Sequence, residues 1–298
     1  MLDSAIARLL PAVPRPIVRR LSSRYIAGAS LDDAVDVVRR LNAEGKSATV
    51  DVLGEEVTDV ATARAIAGEY RRVLARMDAE GLDANVSVKL SGLGLELGEE
   101  ICRENVEAVL TEAAAHGSFV RIDMEDSSTT DRTLALYRRL REAGHENVGI
   151  VLQARLRRAL GDVPGCENVR LCKGIYVEPP ELAYREPETV RESFVRILRE
   201  LVEQGSYVGI ATHDEALIEL SLAIVREAGL GTDRYEFQML LGVRPERGDE
   251  LVAAGHRLRI YVPYGLQWYE YSLRRLQENP AIAGYVAADT IKRALGRR

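Results

Sequence analysis

The chain has 298 residues, 46% hydrophobic and 29% charged, with a formal net charge of −6. That is long enough to bury a full core, and the acidic balance excludes nucleic acid or an anionic membrane as an obligate partner. Three cysteines without metal or disulfide spacing fit reduced thiols in a cytosol, and no apolar run is long enough to span a bilayer.

The first 25 residues carry Arg8, Arg15, Arg19, Arg20 and Arg24 against Asp3. Three prolines interrupt any amphipathic pattern there, so the stretch reads as a basic helical arm rather than a targeting peptide. A helix follows over 30–44, with Ser30 as its cap, Asp32 and Asp33 in the first turn and Gly45 after its end. From there short apolar runs alternate with charged amphipathic segments. The runs predicted as strands are Ser47–Leu53, Asn85–Leu90, Phe119–Met124, Val148–Leu152, Val169–Cys172, Tyr207–Ala211, Arg234–Gln238 and Leu258–Val262. Helices are predicted over Thr58–Glu80, Glu99–His116, Thr130–Ala143, Ala154–Leu160, Pro187–Gln204, Glu215–Glu227, Pro245–Ala254 and Leu266–Glu278. Continuous apolar strands joined by crossover helices indicate a parallel sheet. Eight such units fit an α/β fold of the (β/α)8 TIM-barrel type better than an open doubly wound sheet, which is the alternative. The domain reading is an N-terminal helical arm over 1–45 and a barrel over 46–298.

Barrel chemistry gathers at the C-terminal strand ends. Those ends carry Lys89 and Ser91, Asp123 and Glu125, Gln153 and Arg155, Arg170 with Lys173-Gly174-Ile-Tyr176, Thr212-His213-Asp214, Gln238 with Leu240, and Tyr261 with Tyr264. Each alone reads equally well as a cap, a solvated side chain or a satisfied core group, but seven polar ends of eight exceed what folding requires. Ser91-Gly92-Leu-Gly94-Leu-Glu-Leu-Gly98 lacks dinucleotide spacing and reads as a flexible loop over the mouth. His213 with Asp123 and Glu236 could be drawn as a metal site, but the other histidines fall in helices or helix-to-strand connections, so no metal is expected. In the last segment five of the chain's sixteen Phe, Trp and Tyr cluster, and Trp268, Tyr271, Arg274, Arg275 and Glu278 share one helix arc. Adjacent arginines beside aromatics suit a small carboxylate with an apolar body.

The motifs Val88-Lys-Leu-Ser91, Arg121-Ile-Asp123, Val151-Leu-Gln-Ala154, Arg170-Leu-Cys-Lys-Gly-Ile-Tyr176, Ala211-Thr-His213, Glu236-Phe-Gln238, Arg259-Ile-Tyr-Val-Pro-Tyr-Gly265 and Tyr271-Ser-Leu-Arg-Arg-Leu-Gln-Glu278 resemble proline dehydrogenase in its short monofunctional bacterial form. The resemblance spans Val86 to Glu278. It implies a distorted barrel with non-covalent FAD at its open face, oxidising L-proline to Δ1-pyrroline-5-carboxylate with hydride passing to flavin N5. Lys89, Arg274 and Arg275 would hold the substrate carboxylate, with Asp123 as the charge partner of Lys89. Tyr176, Leu240, Tyr261 and Tyr271 would wall the ring. Gln153, Arg170, Lys173, Gly174, Ile175, Thr212 and His213 would contact FAD, with Met124 and Glu278 nearby, and Arg170 would stabilise the reduced ring. The implied partners are a quinone or other electron acceptor and a separate pyrroline-5-carboxylate dehydrogenase. The implied location is the cytoplasm, the basic arm being available for peripheral contact with the inner membrane. Val177, Asp214 and the Tyr261-to-Tyr271 spacing depart from the long bifunctional forms. Among other readings, a Schiff-base aldolase could use Lys89 or Lys173 but leaves the Arg274–Arg275 face unexplained, and a binding protein on a decayed barrel would not need the polar set intact.

Overall fold

A computed structural model of the protein describes residues 24–54 and 57–269. Eight parallel strands close into a barrel in sequence order: β1 (Ser47–Val52), β2 (Ala84–Val88), β3 (Val120–Ile122), β4 (Val148–Gln153), β5 (Asn168–Cys172), β6 (Tyr207–Ala211), β7 (Tyr235–Leu240) and β8 (Leu258–Tyr264). Closure runs through β1 against β8, where Ser47 faces Arg259 and Val52 faces Tyr264. Seven helices are described: α1 (Leu31–Ala43), α2 (Val60–Ala79), α3 (Glu99–Ala115), α4 (Thr130–Glu142), α5 (Pro187–Glu203), α6 (Glu215–Glu227) and α7 (Pro245–Ala253). None is long and apolar enough to cross a membrane.

Local chemistry sets the helix starts. Ser30 and Asp33 form a reciprocal capping box at α1, with the Asp33 amide donating to Ser30 Oγ and the Ser30 amide to Asp33 Oδ2. Asp59 caps α2 by accepting from the Thr62 amide at 2.9 Å. α1 buries Ala34, Val35, Val37, Val38 and Leu41 in the core shared with the barrel.

Strand side chains alternate between two faces of the barrel wall. One set, including Val50, Val86, Val88, Ile122, Ile150, Val169, Ile210, Phe237 and Ile260, is buried and apolar, and belongs to the common core with the helices. The other set includes Thr49, Asp51, Ser87, Arg121, Gln153, Arg170, Glu236, Gln238 and Arg259, all buried and all polar or charged. Barrel interiors are usually filled by branched apolar residues, so this one is unusual in being filled by ion pairs. Two glycines make room for them. A Cβ at Gly149 would collide with the Arg121 guanidinium and the Phe119 ring, and one at Gly209 with the Gln238 amide.

One expectation fails. Residues 154–160 form turns, not a helix, and the β4–β5 link buries Ala154, Leu156, Ala159, Val163 and Cys166 without one. Gly161, Pro164 and Gly165 interrupt any continuation, and the backbone pairs instead with the β5–α5 loop. Leu156 bridges Ala183, the Arg157 amide donates to Leu182 O, and the Tyr184 amide donates to Arg155 O. The glycine-bearing stretch after β2 is a run of turns packed down onto the fold. Leu90, Leu93 and Leu95 are buried in the core, and Asn105 Nδ2 of α3 donates to Leu93 O at 3.0 Å.

Candidate active site

At the C-terminal end of the barrel a buried ionic hub joins five strands. Asp123, directly after β3, is its centre. Its Oδ1 accepts from Arg170 Nη1 at 2.7 Å and from Ser87 Oγ at 2.7 Å, and its Oδ2 accepts from the Tyr261 hydroxyl at 3.0 Å. Lys89 Nζ lies 3.7 Å from Asp123 Oδ2, donates to Tyr261 Oη at 3.2 Å, and donates to Asp51 Oδ2 at 3.0 Å. The Tyr261 ring lies beside both cations, 5.3 Å from Arg170 Cζ and 5.9 Å from Lys89 Nζ. Burial alone would raise the Asp123 carboxyl, but the charges of Arg170 and then Lys89, with hydrogen bonds from Ser87 and Tyr261, hold it below the ordinary carboxylate value. Asp123 is therefore an anion near neutral pH, held between two cations.

The hub is braced from below. Arg170 Nε donates to Gln238 Oε1 at 2.6 Å, Gln238 Nε2 to Glu236 Oε1 at 2.6 Å, and Arg259 Nε to the same Glu236 oxygen at 2.8 Å. Arg259 Nη1 ends the chain on Ala48 O at 2.7 Å. Glu236 too is held below its ordinary value, the cost of burial being outweighed first by the charge of Arg259. Because Gln238 gives its amide hydrogens to Glu236, its carbonyl must face Arg170, which fixes the guanidinium plane. Arg121 hangs its guanidinium on Ile150 O and Asn168 O at 3.0 and 2.7 Å. Four cations, Lys89, Arg121, Arg170 and Arg259, thus sit with three carboxylates, Asp51, Asp123 and Glu236, inside the wall.

A second group lines the mouth beyond the hub. Gln153 is buried, and its Nε2 donates to Glu125 O at 2.7 Å and Met124 O at 3.4 Å. The β2 and β3 loops are joined where Ser91 N and Oγ donate to Glu125, and the β3 and β5 loops where Ser127 N and Oγ donate to Glu178. His213 Nε2 accepts from the Leu240 amide at 2.9 Å, which leaves Nδ1 to carry the ring proton. His213 O accepts from Arg244 Nη1 at 2.8 Å. Arg244 has φ 51°, a left-handed backbone outside glycine, and its bond to His213 O accompanies that strain. Thr212 Oγ1 accepts from the Asp214 amide, and Asp214 Oδ2 accepts from both Lys173 Nζ at 3.0 Å and Arg191 Nε at 2.8 Å.

The residues of the β4–β6 rim suit the FAD implied by the resemblance. Gly174 has φ 93°, and a Cβ there would lie 2.7 Å from Gln153 Oε1 and 3.0 Å from Arg155 Cγ, so a bare backbone is required. Beside it Arg155 Nε is a buried donor with no partner among the described residues, while Arg155 Nη1 holds Tyr176 O at 2.7 Å. A glycine cradle, an unsatisfied guanidinium donor and the half-exposed Lys173 are the chemistry a phosphate-bearing nucleotide needs. Ile175 and Val177 are exposed at the same edge.

The structure therefore brings Lys89, Asp123, Arg170 and Tyr261 into direct contact. It sets Met124 and Gln153 in one patch, Thr212, His213 and Leu240 in another, and Lys173, Gly174, Ile175 and Tyr176 on the rim. Tyr271, Arg274, Arg275 and Glu278 lie outside the described residues. Sequence reasoning missed Asp51, which is nearer to Lys89 than Asp123 is, and Ser87, and it gave no bracing role to Glu236 or Arg259, although both lie in motifs it named. Their signal was the two-residue polar alternation within strands, as in Thr49 with Asp51 and Glu236 with Gln238.

A family model described as Proline dehydrogenase matches residues 34–288. Proline dehydrogenase 1 of Bacillus subtilis subsp. natto is 36% identical over 274 residues, covering 91% of this chain and 90% of that protein. Proline dehydrogenase of Deinococcus radiodurans is 36% identical over 280 residues, with 91% and 90% covered. Among solved structures, proline utilization A from Bdellovibrio bacteriovorus inactivated by N-propargylglycine superposes with a TM-score of 0.80 at 23% identity, over 87% of this chain and 32% of that one. Proline utilization A from Corynebacterium freiburgense gives 0.75 at 20% identity, over 95% and 33%. This chain thus corresponds to about a third of those longer chains, and shares their fold.

Proposed function

Because the chain belongs to the proline dehydrogenase family, and so oxidises proline in the first step of its catabolism, we propose that the barrel mouth binds L-proline against FAD and yields Δ1-pyrroline-5-carboxylate. The observation that carries this reading is the Asp123 hub, a fixed charge network with Tyr261 on it at the open end of a closed barrel.

Arg274 and Arg275, adjacent on the last segment, are assigned to the substrate carboxylate together with Lys89. Tyr176, Leu240, Tyr261 and Tyr271 are assigned to the walls of the ring. Such a clamp holds a small rigid ring at both ends, and orientation lowers the barrier by removing freedom before reaction. The substrate amine must give up its proton to react. Asp123 holds Lys89, Arg170 and Tyr261 in register, and Arg170 offers a fixed positive charge where negative charge develops.

Gln153, Lys173, Gly174, Ile175, Thr212 and His213, with Met124 and Glu278, are assigned to FAD, and the spare donor of Arg155 supports that assignment. When bound, FAD supplies the two-electron acceptor at N5 and relays the electrons to a quinone-type acceptor. Residues 46–298 would form the catalytic barrel and residues 1–45 its arm. A separate pyrroline-5-carboxylate dehydrogenase would take the product. The protein is proposed to act in the cytoplasm, with the basic arm available to the inner-membrane surface.

The test is colour. The purified protein should be yellow and should bleach when L-proline is added without oxygen. A colourless protein, or a yellow one whose spectrum L-proline leaves unchanged, contradicts the reading.

A further inference from the structure

Asp51 occupies a position that the roles assigned above leave unused. It lies on β1, fully buried at 0% exposure, and its two oxygens serve different partners. Oδ2 accepts from Lys89 Nζ at 3.0 Å, and Oδ1 accepts from the Tyr70 hydroxyl at 3.1 Å. Tyr70 belongs to α2, is itself buried, and reaches over the end of β1, where its oxygen also receives the Val52 amide at 3.3 Å. A structural element outside the barrel wall therefore fixes the orientation of a carboxylate inside it.

That carboxylate determines the charge balance of the mouth. Among the described residues, the charged and titratable groups joined to Lys89 and its partners are Asp51 from β1, Asp123 directly after β3, Arg170 from β5, Tyr261 from β8 and Tyr70 from α2. Loss of Asp51 would leave the mouth more positive by one charge. The added charge attracts any small carboxylate and repels an ammonium. An amino acid near neutral pH is a zwitterion, and the Asp51 charge offsets the cations that its ammonium meets.

We propose that Asp51 is a positioning and specificity residue: by sharing Lys89 with Asp123, and being held by Tyr70, it fixes the lysine ammonium and matches the mouth to a zwitterionic amino acid rather than to a plain carboxylate anion. The inference rests on the reading above in which Lys89 faces the substrate carboxylate.

The experiment compares wild type with Asp51→Asn, both loaded with FAD, using two ligands of the same shape. One is L-proline, read as KM near neutral pH. The other is tetrahydrofuroate, which keeps the ring and carboxylate but has no ammonium, read as a dissociation constant from the flavin spectrum. Asp51→Asn should tighten tetrahydrofuroate binding, while proline, whose ammonium meets the added charge, should gain less or weaken. The ratio of the two constants should move by about tenfold, the effect of a unit charge roughly 7 Å away at an effective dielectric between those of protein and water. A role that only keeps the mouth in shape would weaken both ligands together. That result, or an unchanged ratio, overturns the proposal. Should the Asn protein not fold or not retain FAD, Tyr70→Phe decides. It keeps the Asp51 charge and removes one hydrogen bond, so the ratio should move about twofold in the same direction. An unmoved ratio there is equally fatal. Wild-type flavin that L-proline does not reduce instead sinks the proline reading itself, whatever the Asp51 variants do.

Discussion

Replacing Arg170 by Met keeps an unbranched stem but removes the guanidinium and every polar contact it makes. The lost contacts are the 2.7 Å bond to Asp123, the 3.0 Å bond to Ser87, the 2.6 Å bond to Gln238 and the guanidinium beside the Tyr261 ring. Asp123 then keeps Ser87, Tyr261 and Lys89 at 3.7 Å, while the Gln238 carbonyl loses the Arg170 donor. Breaking a buried ion pair by removing one partner costs about 3–5 kcal/mol. The surviving Lys89 puts the expected loss at the lower end, about 3 kcal/mol. For a domain of this size that is a fall of roughly 6–12 °C in Tm, read by thermal circular dichroism near neutral pH with FAD in excess. Since Arg170 is also assigned beside the developing negative charge, kcat for proline should fall by about 10²–10³. A variant whose Tm stays within about 2 °C of wild type and whose kcat is retained would show that the hub neither stabilises the barrel nor serves the reaction.

Gly174→Ala forces a Cβ against Gln153 Oε1 and Arg155 Cγ at a φ of 93°; FAD released on dilution, followed by its fluorescence, should appear at least about tenfold faster, in keeping with strain of about 1–3 kcal/mol, and an unchanged rate would remove Gly174 from the cradle. Arg275→Met should raise the proline KM steeply while FAD stays bound, whereas unchanged saturation would refute the carboxylate assignment. Asp123 and Glu236 are both held below their ordinary values, so the stability they confer is present above their unfolded values near about pH 4 and is lost as pH falls through the lower folded values. The urea midpoint should therefore drop on the acid side, and Asp123→Asn should flatten that limb; a limb of unchanged steepness would mean that other groups cause it.

The barrel was legible because its strands are short, apolar and separated by well-punctuated helices, as with Ser30 and Asp33 at α1. The rim residues were legible because polar groups at strand ends have no folding duty. What stayed hidden lay inside strands expected to be apolar on both faces. Asp51 sits in Thr-Val-Asp-Val, where the alternation that puts Val50 and Val52 in the core turns Thr49 and Asp51 the other way. Ser87 was hidden by the same assumption, as were the bracing roles of Glu236 and Arg259. The 154–160 segment deceived for a different reason: Leu156, Ala159 and Val163 have helical spacing and are buried, but the chain meets them as turns paired with the β5–α5 loop. The leucines at 90, 93 and 95 are buried, a packing that the glycines of that loop did not announce.

The ionic interior of the wall has a bearing on how the protein meets its medium. Dissolved salt weakens an ion pair only where counter-ions can gather, over about 8 Å at physiological strength. Arg121, Glu236 and Arg259 are at most 8% exposed, which leaves no room for such an atmosphere. Their attractions are set when the chain folds and are insulated from the ionic strength outside. Lys173, 43% exposed over Asp214, stands on the other side of that boundary. Rising salt should loosen the rim that is assigned to the nucleotide and leave the braced interior of the wall untouched, so that a change of ionic strength would reach this enzyme at that rim first.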